Sequence, residues 1–210
     1  QAYAGGRCGA TAFCVIRLTA AGALDATWAN GGRLQYDIGV NAARVTALAA
    51  SGSRLLAAGV CTTGANADFC LLRIDSTGQP DTTLNGTGLL VIPMGTGEDL
   101  LTGLTLVGSA TFLSGSCDSG ARKVFCLVSI TEAGGVNGAF NGGAVLLDDF
   151  GGTYAVAAGL SPYFSTLTLA GTCGTPFTFR DWCFTRYSLF GQRDASLNTT
   201  GLVVTDLRAG

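Results

Sequence analysis

Gly59-Val60-Cys61-Thr62-Thr63-Gly64-Ala65-Asn66-Ala67-Asp68-Phe69-Cys70-Leu71-Leu72-Arg73-Ile74 reads as two extended apolar segments joined by a polar loop, with a cysteine on each side. The chain repeats this stretch. Gly-x-Cys opens it again at Gly6-Arg7-Cys8, Gly115-Ser116-Cys117 and Gly171-Thr172-Cys173. An aromatic residue followed by cysteine closes it at Phe13-Cys14, Phe69-Cys70, Phe125-Cys126 and Trp182-Cys183. Cys14, Cys70, Cys126 and Cys183 follow one another at spacings of 56, 56 and 57 residues.

All eight cysteines fall in local pairs, separated by five, eight, eight and nine residues. Structural zinc is held by two shorter Cys knuckles or by added histidine, and this chain has no histidine. Repetition therefore favours disulfides pairing Cys8 with Cys14, Cys61 with Cys70, Cys117 with Cys126 and Cys173 with Cys183. Such usage belongs to an oxidising compartment, at the cell surface or outside the cell.

The second copy shows the whole unit. Val45 to Ala50 is a short apolar strand, Ser51-Gly52-Ser53 turns, and Arg54 to Cys61 runs back. Asp68 to Asp75 is a third strand, Ser76 to Asp81 is a turn rich in breakers, and Leu89 to Ile92 is the fourth. Turn glycines Gly22, Gly78, Gly134 and Gly191 keep the period, as do Trp28, Leu84, Phe140 and Leu197. Asn30, Asn85, Asn141 and Asn198 read as turn residues that tolerate positive φ. Asn85 and Asn198 also open N-glycosylation sequons.

A four-strand repeat of this length is the signature of a propeller blade, whose sheet needs neighbours to cover its faces. The expected fold is all-β: a four-repeat β-propeller-like domain of four-stranded antiparallel blades, with one disulfide per blade. It forms a single domain over residues 1–210, with repeats near 1–36, 37–93, 94–148 and 149–210. Ala2 to Arg7 has the phase of a second strand, and Gly201 to Leu207 that of a fourth. One first-type strand is therefore missing: either blade one is short, or the gap is filled by another segment or another subunit.

The turns carry a further pattern. Arg17-Leu18 leads through Gly22-Ala23-Leu24-Asp25-Ala26-Thr27-Trp28 to Gly31-Gly32, and Arg73-Ile74 leads through Asp81 to Leu84. This resembles the bacterial delta-60 repeat, more loosely in the third and fourth copies. The resemblance implies a β-propeller-like array in a secreted or surface protein and no particular activity. The cysteine pairs are an addition to that family's pattern.

Composition narrows the function classes. Charged residues make up 12% of the chain, net charge is −2 and Lys123 is the only lysine, so there is no basic surface for nucleic acid or anionic lipid. The uncharged runs Leu100 to Cys117 and Gly151 to Phe179 are broken by Gly, Ser and Thr. They repeat the phase of strand pairs, so no membrane insertion is expected. No charged-then-apolar signal begins at Gln1, which is expected either to follow a removed signal peptide or to mark a trimmed end.

Without histidine, Ser-His-Asp and Cys-His chemistry is absent. Glu98-Asp99 and Asp148-Asp149 are the adjacent acidic pairs. A secreted hydrolase or lyase using aspartates would draw on them, but adjacent strand residues face opposite ways and the plainer reading is solvated loop charge. No metal or cofactor is expected. Arg17, Arg73 and Arg186 each precede an aspartate by eight positions, at Asp25, Asp81 and Asp194. In the third repeat both partners change together, to Ser129 and Asn137, which points to a structural ion pair. Phe13, Phe69, Phe125 and Trp182 are expected in the core between blades, leaving Tyr36, Tyr154, Tyr163 and Phe164 as exposed candidates. The expected function is a non-enzymatic extracellular structural or adhesive surface protein, self-assembling by completion of an edge strand in a homo-oligomer or filament. The alternative is a propeller module with a glycan or peptide ligand.

Overall fold

Short β-branched and apolar runs between glycine turns fold here into four antiparallel sheets, one from each repeat. The computed structural model describes residues 1–120, 122–150, 154–174 and 181–206. Sheet 1 holds β1 (Ala2–Cys8), β2 (Ala12–Leu18) and β3 (Arg33–Asp37). Sheet 2 holds β4 (Ala42–Ser51), β5 (Arg54–Thr63), β6 (Asn66–Ile74) and β7 (Leu89–Ile92). Sheet 3 holds β8 (Leu100–Val107), β9 (Ala110–Asp118), β10 (Lys123–Ile130) and β11 (Leu146–Asp148). Sheet 4 holds β12 (Tyr154–Tyr163), β13 (Thr166–Gly174), β14 (Asp181–Ser188) and β15 (Leu202–Thr205). The fourth strand expected to reach Leu207 is described as far as Thr205, and Leu207 lies outside the described residues.

Each strand pairs with its sequence neighbour, so every sheet is a meander, as in a propeller blade. Among the described residues sheet 1 has three strands where the others have four, and β1 pairs with β2 alone. In the three complete sheets the first strand carries a bulge at one repeat position. The register shifts between Val45 and Ala47, between Leu101 and Gly103, and between Ala157 and Gly159.

The chain divides into two compact units, Gln1–Pro93 and Met94–Gly210, each with two sheets and its own core. In the first, Phe13 and Val15 of sheet 1 and Trp28 pack against Cys61, Cys70, Leu72 and Ile74 of sheet 2. In the second, Phe125 and Leu127 of sheet 3 and Phe140 pack against Leu169, Cys173, Cys183 and Tyr187. The two cores share a design. The residue before the second cysteine of one sheet packs on the disulfide of the following sheet. Both β6 and β10 are buried almost throughout, whereas β13 alternates buried and half-buried residues.

Candidate functional site

Register explains the Gly-x-Cys motif. Gly59 stands opposite Cys70 on β6 and opposite Val45 on β4, beside the bulge. A Cβ on Gly59 would lie 1.9 Å from the Arg44 carbonyl oxygen, and one on Gly171 would lie 2.1 Å from that of Val156. The bulged first strand thus leans on the glycine, and only a residue without Cβ fits. Gly6, at the same position in sheet 1, has nothing within 4 Å.

Two residues on, the cysteines meet diagonally across the hairpin. The structure joins Cys8–Cys14, Cys61–Cys70, Cys117–Cys126 and Cys173–Cys183, with Cα separations of 5.5, 5.9, 5.7 and 5.8 Å, all within the range a disulfide spans. Cys61, Cys70, Cys117 and Cys126 are fully buried, while Cys8 and Cys14 are half-buried. Four disulfides mark an oxidising environment.

The arginine–aspartate pairs come together in clusters with three shared members, and at Asp81 Arg54 Nε adds a fourth, 2.9 Å from Oδ2. Arg17 Nε lies 3.0 Å from Asp25 Oδ2, Arg73 Nε 3.0 Å from Asp81 Oδ2 and Arg186 Nε 2.7 Å from Asp194 Oδ2. A hydroxyl completes each. Thr27, Thr83 and Ser196 donate to Oδ1 of their aspartates at 2.6, 2.6 and 2.7 Å and accept from Nη2 of their arginines. The recurring Asp-x-[Thr/Ser] was the signal for this third member. In repeat three all three members change: Asn137 Nδ2 donates to Ser129 Oγ at 3.2 Å, and Ala139 replaces the hydroxyl. The neutral pair keeps the tie and removes both charges at once, which avoids a lone buried ion. In a double-mutant cycle, Arg73→Ser and Asp81→Asn are accordingly expected to couple by about 1–2 kcal/mol, the double variant being milder than the summed singles. Additive effects on urea unfolding would contradict this.

These clusters also set an acid limit. The Thr27 hydroxyl and backbone N–H, then Arg17, hold the Asp25 carboxyl below its ordinary value, and Ser196 and Arg186 do the same for Asp194. Burial pushes Asp81 up, but Thr83, Arg73 and Arg54 outweigh it and the net shift is downward. A carboxyl that titrates lower folded than unfolded contributes stability that is complete above its unfolded pKa and lost below it. The urea midpoint is therefore expected to be flat above about pH 5 and to fall below about pH 4. Asp81→Asn should flatten that fall, and a midpoint constant down to about pH 2 would contradict it.

The acidic pairs are not solvated loop charges throughout. Asp148 is 5% exposed on β11, where its carboxylate accepts from the Tyr187 hydroxyl, from Arg193 Nη2 and from Thr185 Oγ1. It ties sheet 3 to sheet 4. Asp99 is also buried, and its Oδ1 accepts the Asp118 N–H at 3.0 Å. Their neighbours do match the solvated reading: Glu98 and Asp149 are exposed, and Asp149 pairs with Arg122 at 3.0 Å. Among the described residues no group of three or more Cys, Asp or Glu is placed to hold a metal, and no helix is long and apolar enough to cross a membrane.

Three of the four periodic aromatics are core: Phe13, Phe69 and Phe125 are fully buried. Trp182 is not. It is 48% exposed and stacks on Phe184, with ring centroids 6.5 Å apart, on the face of sheet 4 turned away from sheet 3. Tyr163 and Phe164 are exposed at the tip of the β12–β13 hairpin, while Tyr36 and Tyr154 are half-buried. Positive φ falls on Ala29, Asn85, Asn141 and Asn198, so the turn position in repeat one is Ala29 and not Asn30. In the sequons, Asn85 Nδ2 donates to the Leu89 carbonyl and Asn198 Nδ2 to that of Leu202, closing the turns. A groove in the first unit is lined by Leu24, Asn30, Arg33, Gln35 and Gln79, a set that offers amide and guanidinium donors. No protein-family model matches the chain, and no curated protein sequence matches it.

Proposed function

We propose that this chain is a non-enzymatic structural module of the cell exterior that assembles with copies of itself, a strand from a neighbour completing sheet 1 along β1. The observation that carries this is Gly6. Its counterparts Gly59 and Gly171 lie under first-strand carbonyls, and Gly6 keeps the same residue with open space beside it. Along that edge β1 presents backbone donors and acceptors that no strand takes up among the described residues. An unpaired edge is a template for strand addition. The four disulfides, the low charge and the resemblance to delta-60 repeats of secreted proteins support a role outside the cell. The sequestered Asp148 and Asp99 favour a structural over a catalytic use of the acids.

Amide hydrogen exchange of β1 tests the edge. In concentrated wild type the β1 amides are expected to be protected, and Gly6→Leu, which places a side chain under the incoming strand, should return them to fast exchange without changing the melting temperature. Fast exchange of β1 at every concentration would contradict edge completion.

A further inference from the structure

Each unit contains one sheet-on-sheet interface, and the two interfaces are made from the same parts. An aromatic half comes from one sheet: Phe13, Val15 and Trp28 in the first unit, Phe125, Leu127 and Phe140 in the second. A staple half comes from the following sheet: Cys61, Cys70, Leu72 and Ile74 in the first, Cys173, Cys183 and Tyr187 in the second. A backbone hydrogen bond fixes the alignment. Ala29 N–H donates to the Thr77 carbonyl at 2.7 Å, and Asn141 N–H donates to the Phe190 carbonyl at 2.9 Å. The glycine after each acceptor lies against the donor residue. A Cβ on Gly78 would come 2.5 Å from that of Ala29, and one on Gly191 would come 3.0 Å from that of Asn141.

Among the described residues two sheet faces carry these halves uncovered. The outer face of sheet 4 is an aromatic half. Trp182 occupies the position of Phe13 and Phe125 but is 48% exposed where they are 0%. Asn198, with φ 48°, occupies the position of Ala29 and Asn141. The outer face of sheet 1 is a staple half. Cys14, Ile16 and Leu18 occupy the positions of Cys70, Leu72 and Ile74, yet they are half-buried where the latter are fully buried. Gly22, with φ +81°, holds the position of Gly78 and Gly191, and nothing lies within 4 Å of where its Cβ would be.

We infer that the partner of both faces is a second copy of this chain: the Trp182 face of sheet 4 in one copy packs on the Cys8–Cys14 face of sheet 1 in the next. Trp182 then covers the half-buried staple as Phe125 covers Cys173–Cys183. Asn198 lies against Gly22, and its N–H donates to the Ala21 carbonyl. The contact is heterologous, since each copy offers both halves, and it propagates head to tail. It rests on the same reading of a self-assembling module but uses sheet faces in place of the β1 edge.

Two blocked variants test it. Trp182→Asp spoils the aromatic half at an exposed side chain. Gly22→Asn fills the receiving space with a residue that tolerates positive φ. By sedimentation velocity, the concentrated wild type is expected to form multimers and each variant alone to lose those held by the face contact. An equimolar mixture is expected to regain one face contact, joining one copy of each variant, because it contains one intact pair of halves. Trp182 emission should shift to the blue as wild type assembles. Variants that multimerise like wild type would overturn the inference, and protected β1 amides in the same samples would leave edge completion standing. Conversely, a heterodimer with unprotected β1 supports the face contact and not the edge. Monomeric wild type whose Trp182 emission is already blue would show the face covered within one chain. An emission shift on adding a soluble oligosaccharide, without change of mass, would assign the face to a glycan. Either result overturns the inference.

Discussion

Gly59→Ala is expected to cost about 3 kcal/mol, the upper end of overpacking penalties, and to lower the melting temperature by about 10 °C. The added methyl would sit 1.9 Å from the Arg44 carbonyl oxygen and 2.9 Å from Val45 Cα, so backbone and not a flexible side chain must give way. Moving it disturbs the β4 bulge and, with it, the Val45 side chain that packs in the core of the first unit. Gly171→Ala is expected to act alike in the second unit, where Val156 O and Phe125 Cζ stand 2.1 and 2.8 Å from the new atom. Gly6→Ala is the control. Identical chemistry in the same motif should leave the melting temperature within about 2 °C, since nothing is there to meet. Equal losses at Gly6 and Gly59 would show that the glycines serve the hairpin alone and not the strand beside it.

Reduction of the disulfides is the second large effect. Loops closed at sequence separations of 6, 9, 9 and 10 residues restrict the unfolded chain. That restriction is worth about 2–3 kcal/mol each in the chain-entropy account. Four together come to about 10 kcal/mol, the size of a whole domain's stability, so the fully reduced protein is expected to lose its cooperative melting transition at 25 °C. The order of reduction is also set by burial. Half-buried Cys8–Cys14 should react with a mild reductant first, and the fully buried Cys61–Cys70 and Cys117–Cys126 should need denaturant. Mass spectrometry after alkylation reads this order. Near-native melting of the fully reduced protein, or earlier reduction of Cys61–Cys70, would contradict it.

Periodicity made the architecture legible. The recurrence of Gly-x-Cys and aromatic-Cys at intervals of 53 to 57 residues identified the repeat, the staples and the extended segments, because each is a local feature copied four times. The period also points to Ala29 as the turn residue of repeat one. Matching by residue type draws the eye to Asn30 instead, one step out of register. What was hidden depends on where a repeat stands, not on what it contains. Trp182 has the same local pattern as Phe13, yet it lies on a face with no described sheet against it. Asp148 gave no local sign of its role, since Tyr187 and Arg193 are 39 and 45 residues away in the next repeat. The reason for Gly in Gly-x-Cys lies in a strand that precedes it by about one hairpin, and a bulge has no sequence mark of its own here.

The proposed self-assembly rests on the open edge of β1 and on two sheet faces that are uncovered among the described residues. Multi-angle light scattering of the native chain, from micromolar to millimolar concentration and with electron micrographs of the same samples, measures that most directly. The expected result is a mass that climbs with concentration through multiples of 21.2 kDa, with extended or ring-like particles on the grid. A mass that stays at one chain across the whole range, with dispersed single particles, would contradict it.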